Sequence, residues 1–246
     1  MTKITKKKIK RIKVEEWFSA QTANARREVA RLIMDGKVTI NGNVNTDLSA
    51  TVDPEVDVVH VNGERLANHL QYFYYKFHKP PNVISTMSDP NGRSCLRDFM
   101  GGVPAAVSPV GRLDRDSEGL MLFTNNGALT LALSHPRFHV AKIYRVTLDK
   151  SLTQAAYERL EIGFFLDDGP VVFEEVEKVS DVTVIVKISE GRNRIVRRSF
   201  ELLGYTVKKL KRLSIGPIQL GKLESGKFAR LSIGEMRQLD QILKFR

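Results

Sequence analysis

Acidic residues are in short supply in this 246-residue chain. Only 28 Asp plus Glu stand against 39 Lys plus Arg, leaving a formal net charge of +11. Such an excess points to a polyanionic partner, either nucleic acid or an acidic membrane surface. Cysteine is rarer still. The single Cys95 excludes an internal disulfide and fits a reducing cytoplasm. No apolar run approaches the roughly 18 residues of a membrane span. The opening MTKITKKKIKRIK is basic but lacks the apolar core of a secretion signal. A cytoplasmic protein without a membrane partner is expected.

Several catalytic signatures are also missing. No G-x-S-x-G element is present. GPIQLGKL has phosphate-loop spacing, but Leu223 replaces the needed hydroxyl residue and Pro217 removes an amide donor. His135 and His139 are four apart, yet Pro136 intervenes and no third ligand is nearby, so no metal and no cofactor is expected. Internal repeats are absent as well.

What the chain does have is two regions of different texture behind a lysine-rich tail, residues 1–13. Residues 14–66 read as a small module. In NARREVARLIMDGKV, Asn24 suits an N-cap, and Ala25, Val29, Leu32 and Ile33 form a stripe at helical spacing. Gly36 suits the helix end. Arg26, Arg27 and Arg31 lie off the stripe, facing solvent or a ligand, and Lys37 follows them. Asn41-Gly42 in KVTINGNV is a hairpin turn between short strands, and VDVVHVNG alternates like a strand. Residues 67–71 read as a linker. From residue 72 to 246, strands and helices mix without a regular βαβ rhythm, which predicts an α+β fold with a largely antiparallel sheet. YFYYKFHKPPNVIST reads as a strand broken at Pro80-Pro81 and followed by a second strand.

The most informative stretch is GRLDRDSEGLMLFTNNG, residues 111–127. Its run Leu120-Met121-Leu122-Phe123 suits a strand buried on both faces, Gly119 permits close backbone approach, and Asn125-Asn126-Gly127 is turn chemistry. A loop therefore delivers Asp114, Asp116 or both to the edge of a core. Three uses of these acids compete. A calcium loop fits Asp114, Asp116 and Glu118 but fails at Asn125, and Arg112 and Arg115 repel a cation. An ion pair with neighbouring arginines is the structural use, and it suits Asp116 and Glu118. A nucleophile or base held ionised by a guanidinium is the catalytic use, and it suits Asp114.

Two resemblances bear on that choice. ARREVARLIMDGKVTINGNV resembles the S4 RNA-binding domain, although RIKVEEWFSA is more acidic than the usual first helix of that family. GRLDRDSEGLMLFTNNG resembles the active-site motif of pseudouridine synthases, and is most similar to the RsuA/RluB/RluE/RluF branch. HKPPNVIST, AKIYRVTL, EGRNRIVRRSFELLG and LKRLSIGPIQLGKLESGKFARLS resemble further segments of that family, in family order.

The resemblance implies a pseudouridine-synthase fold behind a small S4-like α/β module, acting on ribosomal RNA without a cofactor. It implies that Asp114 is the essential carboxylate of uridine isomerisation, that Tyr144 packs on the flipped base, and that Arg197 pairs with Asp114. Arg112 then anchors the loop or the RNA backbone, and Lys142 is a substrate-side contact. Arg192, Arg194 and Arg198 share one stretch; Arg194 and Arg198 fall four apart on one helical face, directed at RNA phosphates. Leu213 and Ile215 are candidate walls of the uracil pocket. The EGRNR segment and Asp168-Gly169-Pro170 look most like the large-subunit branch, favouring 23S rRNA or a pre-50S particle over 16S rRNA, with a monomer as the acting form. The rival reading is a non-catalytic rRNA-binding or ribosome-assembly protein on the same fold.

Overall fold

The computed structural model describes residues 11–22, 26–67 and 71–244. The expectations for tail residues 1–10, Asn24, Ala25 and linker positions 68–70 lie outside the described residues. The chain forms two compact units. One runs through Phe73 and includes 104–108 and 125–127; the other holds the rest from Tyr74 onward.

In the first unit, β1 (Ile12–Lys13) leads into α1 (Val14–Gln21), and α2 (Arg26–Met34) follows. Next come β2 (Val38–Ile40), β3 (Asn43–Asn45), β4 (Thr51–Val52), β5 (Val59–Val61) and β6 (Glu64–Arg65). The sheet order is β3-β2-β5-β6, with β1 and β4 paired separately. Val29 and Ile33 of α2 pack with Trp17, Phe18 and the valines of β2, β4 and β5, as the 3.6-residue spacing dictates. Asn41 and Gly42 both have positive φ, 51° and 84°, the mirror-image turn that matches strand twist. Asn41 also fixes the β5 approach: its Nδ2 donates to Asp57 Oδ1 at 2.9 Å, and its Oδ1 accepts from Val58 N at 2.8 Å.

The second unit is built on a mixed sheet. Its strands are β7 (Tyr74–Lys79), β8 (Ser108–Val110), β9 (Glu118–Thr124), β10 (Lys142–Leu148), β13 (Glu175–Ser180), β14 (Thr183–Ile188), β15 (Val207–Ile215), β16 (Ile218–Gln219) and β17 (Phe228–Arg230). The helices are α3 (Gly127–Ser134), α4 (Gln154–Ile162), α5 (Ile195–Leu202) and α6 (Ile233–Lys244), and β11 (Phe164–Leu166) with β12 (Gly169–Val171) forms a separate hairpin. The main order is β13-β14-β10-β15-β9-β7-β17, with β16 on β15 and β8 on β9. β15–β9 is parallel, whereas β10–β14, β10–β15, β13–β14, β15–β16, β17–β7 and β7–β9 are antiparallel. The α+β expectation with a largely antiparallel sheet therefore holds.

β9 is the keystone, and its sequence shows why. Successive side chains of a strand point to opposite faces. Leu120 and Leu122 join Leu129 and Leu133 of α3 and Leu239 of α6 on one side. On the other side Phe123 enters an aromatic group, with Phe77 stacked on Phe228 at 4.3 Å and Phe123 edge-on to Phe228 at 4.9 Å. Gly119 opens the strand with φ 111°. A Cβ placed there would collide with the Arg212 carbonyl oxygen and sit 2.5 Å from its amide nitrogen. The missing side chain is what allows β15 to pair in parallel beside the motif loop.

One expected element does not form. After Pro80-Pro81 no second strand follows; Asn82 turns left-handed at φ 65°, and a single bridge joins Ile84 to Cys95. The proline pair offers no amide donors for a ladder, so the segment crosses as a loop.

Replacing Gly119 with Ala combines left-handed strain with a backbone collision. It is expected to lower unfolding free energy by ~3 kcal/mol or more, measured as the urea midpoint shift. A loss below ~0.5 kcal/mol, the range of ordinary surface changes, refutes the close approach.

Candidate active site

A cleft of about 720 Å³ lies within the second unit, with Asp114, Lys142, Tyr144, Arg212 and Ile215 among its walls. Asp114 belongs to the loop between β8 and β9, whose turn is closed by Ser117 N donating to Asp114 O at 3.1 Å. The carboxylate is half-buried, while the next residues, Arg115 and Asp116, are exposed.

The loop is held from beneath by cations. Lys79, 0% exposed at the end of β7, donates from Nζ to the carbonyls of Pro80 (2.9 Å), Arg115 (3.2 Å) and Ser117 (2.7 Å). Burial lowers its pKa from 10.5 to about 8, with the charges of Asp116, Asp114 and Glu118 opposing the shift and that of Arg212 adding to it. Arg212, 4% exposed on β15, donates from Nε to Leu120 O at 2.7 Å and from Nη1 to Arg112 O at 3.4 Å. Ser85 completes the clamp: its Oγ donates to Leu113 O at 2.6 Å and accepts from Leu113 N at 3.1 Å. Charge-assisted bonds of this kind are roughly twice as strong as neutral ones.

Arg197 is buried as an active-site arginine should be, but its carboxylate partner is not the expected one. Its Nε stands 3.2 Å from Asp116 Oδ2, an ion-pair contact without hydrogen-bond alignment. Its Nη2 donates to Asp116 O (3.0 Å) and Ser117 Oγ (3.4 Å), and its Nη1 to Val207 O (2.9 Å). The reason is positional. Ser117 N–H turns the chain back on Asp114 O, so residue 116, not 114, meets the start of α5. Burial lowers the Arg197 pKa, opposed mainly by Asp116 and more weakly by Asp114. Asp116 also pairs with Arg194 Nη1 at 3.2 Å, the structural use read from its sequence context.

The other arginines of this stretch are engaged internally. Arg194 is not part of the helical face with Arg198; it precedes α5 in a left-handed conformation, φ 48°. Arg192 donates to Glu190, to Asp168 Oδ1 at 2.7 Å and to Pro170 O at 2.6 Å. Arg198 donates to Asp167 Oδ1 at 2.7 Å, Asp168 Oδ2 at 2.6 Å and Asn193 O at 2.9 Å. Hydrogen bonding from Arg198 holds the Asp168 carboxyl below its usual range. The β11–β12 turn therefore occupies both guanidinium groups, and the phosphate-facing row expected from helix spacing is not present.

The remaining expectations divide. Tyr144, 9% exposed, and Lys142 line the cleft from β10, and Arg112 is exposed at its wall. Ile215 forms part of the wall; Leu213, half-buried, does not. In the first unit Arg27, Arg31 and Lys37 are exposed; the side chain of Arg26 lies outside the described residues. Lys79 and Arg212 were not singled out from sequence; Leu210, Arg212 and Ser214 turn inward along β15, but the apolar residues Leu213 and Ile215 fall on the other parity, so the sequence carries no alternation that marks Arg212.

Comparisons with known proteins identify the family. Residues 74–202, about half the chain, match the RNA pseudouridylate synthase family, and residues 23–58 match the S4 domain. A Mycobacterium bovis protein named as an uncharacterized RNA pseudouridine synthase is 38% identical, over 94% of this chain and 93% of its own. A Bacillus subtilis ribosomal large subunit pseudouridine synthase B is 34% identical, over 87% and 90%. A crystal structure of a pseudouridylate synthase superposes with a TM-score of 0.66 at 27% identity, covering 93% of this chain and 99% of that one. The chain belongs to the RNA pseudouridylate synthase family and is an RNA-modifying isomerase with an S4 domain preceding its catalytic unit.

Proposed function

We propose that this protein isomerises one uridine of ribosomal RNA, in the large-subunit 23S molecule, with Asp114 as the essential carboxylate. The observation that carries the residue assignment is the clamped loop. It presents a half-buried acid to a cleft that also holds Tyr144, and among the described residues that acid is not spent on a structural ion pair. The Bacillus subtilis relative, named for the large subunit, supports the choice of substrate.

The chemistry follows from the walls. A uridine within folded RNA must leave its stack before its C1′–N1 bond becomes accessible, and an aromatic face offsets part of that cost. Tyr144 supplies that face. Asp114 acts on the ribose, by attack or by deprotonation, while Ile195, Val196 and Ile215 enclose the freed base against water. The first unit adds affinity through Arg27, Arg31 and Lys37, whose side chains are exposed. Cytoplasmic action as a monomer completes the reading; no described helix is long and apolar enough to cross a membrane.

Asp114→Asn is expected to lower single-turnover pseudouridine formation by ~10⁴-fold or more, the scale of losing a nucleophile, with RNA affinity within about twofold. Turnover at the wild-type rate removes Asp114 from the mechanism. Pseudouridine mapping in 23S and 16S rRNA from cells with and without the protein fixes the substrate. A missing 16S site with intact 23S rRNA reverses the subunit assignment.

Changing Arg27, Arg31 and Lys37 together to Gln should flatten the salt dependence of RNA binding. The expected change in log–log slope is about 2 to 3, near 0.7–0.9 per lost phosphate contact. An unaltered slope means these side chains do not touch the backbone.

A further inference from the structure

Lys142 is a half-buried cation of the cleft that the clamp does not use. It and Tyr144 are two apart on β10, so their side chains share a face, and both line the cleft. Strand register sets Tyr144 opposite Arg212 and Lys142 opposite Ile215 on β15. The tyrosine therefore has one cation beside it on its own strand and another on the neighbouring strand. Lys142 Nζ donates only to Val140 O, at 2.9 Å, and Arg212 Nη2 is buried without a partner among the described residues. The charged groups around Lys142 are Arg212 on β15, Glu174 before β13 and Glu190 after β14. None of them forms an ion pair with it at the distances of the Arg192 network. Arg192, on the same wall, is fully occupied by Glu190, Asp168 and Pro170 O. A half-buried ammonium next to a base-stacking ring is poorly placed for a backbone phosphate and well placed for a ring oxygen.

We propose that Lys142 is a catalytic residue that donates to a carbonyl oxygen of the detached pyrimidine, with the fixed charge of Arg212 beside it. This rests on the uridine-isomerising reading of the cleft. When C1′–N1 breaks, both electrons stay on N1 and the charge spreads to O2 and O4, whichever ribose atom Asp114 engages. On attack, an Asp114–C1′ bond forms as C1′–N1 breaks, and it breaks again when C5 bonds to C1′; on deprotonation, the C2′ proton passes to Asp114 and returns to C2′ when C5 bonds to C1′. C5 then loses its proton, N1 gains one, and the product has the atoms of the substrate. A donor fixed in a water-poor site acts most strongly where such charge develops. Burial and Arg212 lower the Lys142 pKa to about 8, while Glu174 and Glu190 oppose the shift, so the ammonium persists at neutral pH and is lost above it.

The test uses the full chain and two single-turnover substrates, one carrying uridine at the target site and one carrying 5-fluorouridine. Fluorine withdraws electrons, so the freed ring bears its charge with less help. Lys142→Met should slow loss of the uridine by about 100-fold, the scale of removing one charge-stabilising donor, with RNA affinity unchanged within about twofold. Loss of 5-fluorouridine should slow by less than about 10-fold. The wild-type rate should fall as pH rises through about 8, where both Lys142 and the loop-holding Lys79 lose charge; Lys142→Arg, which keeps its charge, should fall less steeply, retaining only the part set by Lys79, and a profile identical to wild type overturns the proposal. Equal slowing on both substrates overturns the proposal, as does weakened binding without slowing, which marks a phosphate contact. If Lys142→Met fails to match the wild-type urea midpoint, the pH profile of Lys142→Arg decides alone. If wild-type protein forms no pseudouridine on any rRNA, the reading of the cleft itself falls; an active wild type with an insensitive Lys142 sinks only this inference.

Discussion

The catalytic unit depends on a lysine whose ammonium is sealed beneath an acidic loop. Lys79 sits at 0% exposure and donates to three carbonyls. A buried charge is costly unless its donors are satisfied and compensating charge is near. Here three carbonyls take its donors, and Asp114, Asp116 and Glu118 supply the compensating field. This accounts for the acids in an otherwise basic chain. The loop needs negative side chains above because positive ones hold it from below. Arg197 and Arg212 repeat the arrangement at the loop's far side and at the start of β9.

Much of this was legible from local pattern. The apolar run 120–123, the close approach at Gly119, the Asn41-Gly42 turn and the α2 stripe are short-range consequences of side-chain period and backbone freedom. The partners of the charged residues were not legible. Arg197 was expected to face Asp114 and meets Asp116 because a single turn bond, Ser117 N to Asp114 O, redirects the chain. The Arg194–Arg198 row assumed an unbroken helix, yet Arg194 is left-handed. Lys79 gave no local sign of burial, since its burial comes from loops 36 and 38 residues away. Arg212 gave none either, because the apolar Leu213 and Ile215 of β15 fall on the opposite parity and an arginine is ordinarily expected outside.

The net charge of +11 also needs sorting before it describes a binding surface. Arg192 and Arg198 are neutralised by Glu190, Asp167 and Asp168, and Arg194 by Asp116. These pairs fix the strand-to-helix segment that walls the cleft, and they contribute little to a long-range field. Arg27, Arg31, Lys37, Arg112 and Arg115 are exposed, and an RNA backbone senses those first. Composition therefore overstates how much of the cationic excess is available, while the direction of its inference stands.

Isomerisation sets a different demand from hydrolysis, and the proposed reaction places that demand on the cleft walls. The leaving group must stay, turn and re-bond, so the site has to stabilise it as an anion without releasing it to water. Apolar side chains at Ile195, Val196 and Ile215 lower the local dielectric, which strengthens every charge left inside. The same desolvation that lowers the pKa values of Lys79 and Lys142 to about 8 makes their charges effective on a neighbour. One lysine is consumed by carbonyls and sets the loop; the other retains donors on the face of Tyr144. Burial of cations is thus a single device used twice: at Lys79 it places the acid, and at Lys142, in the proposed reaction, it faces the base.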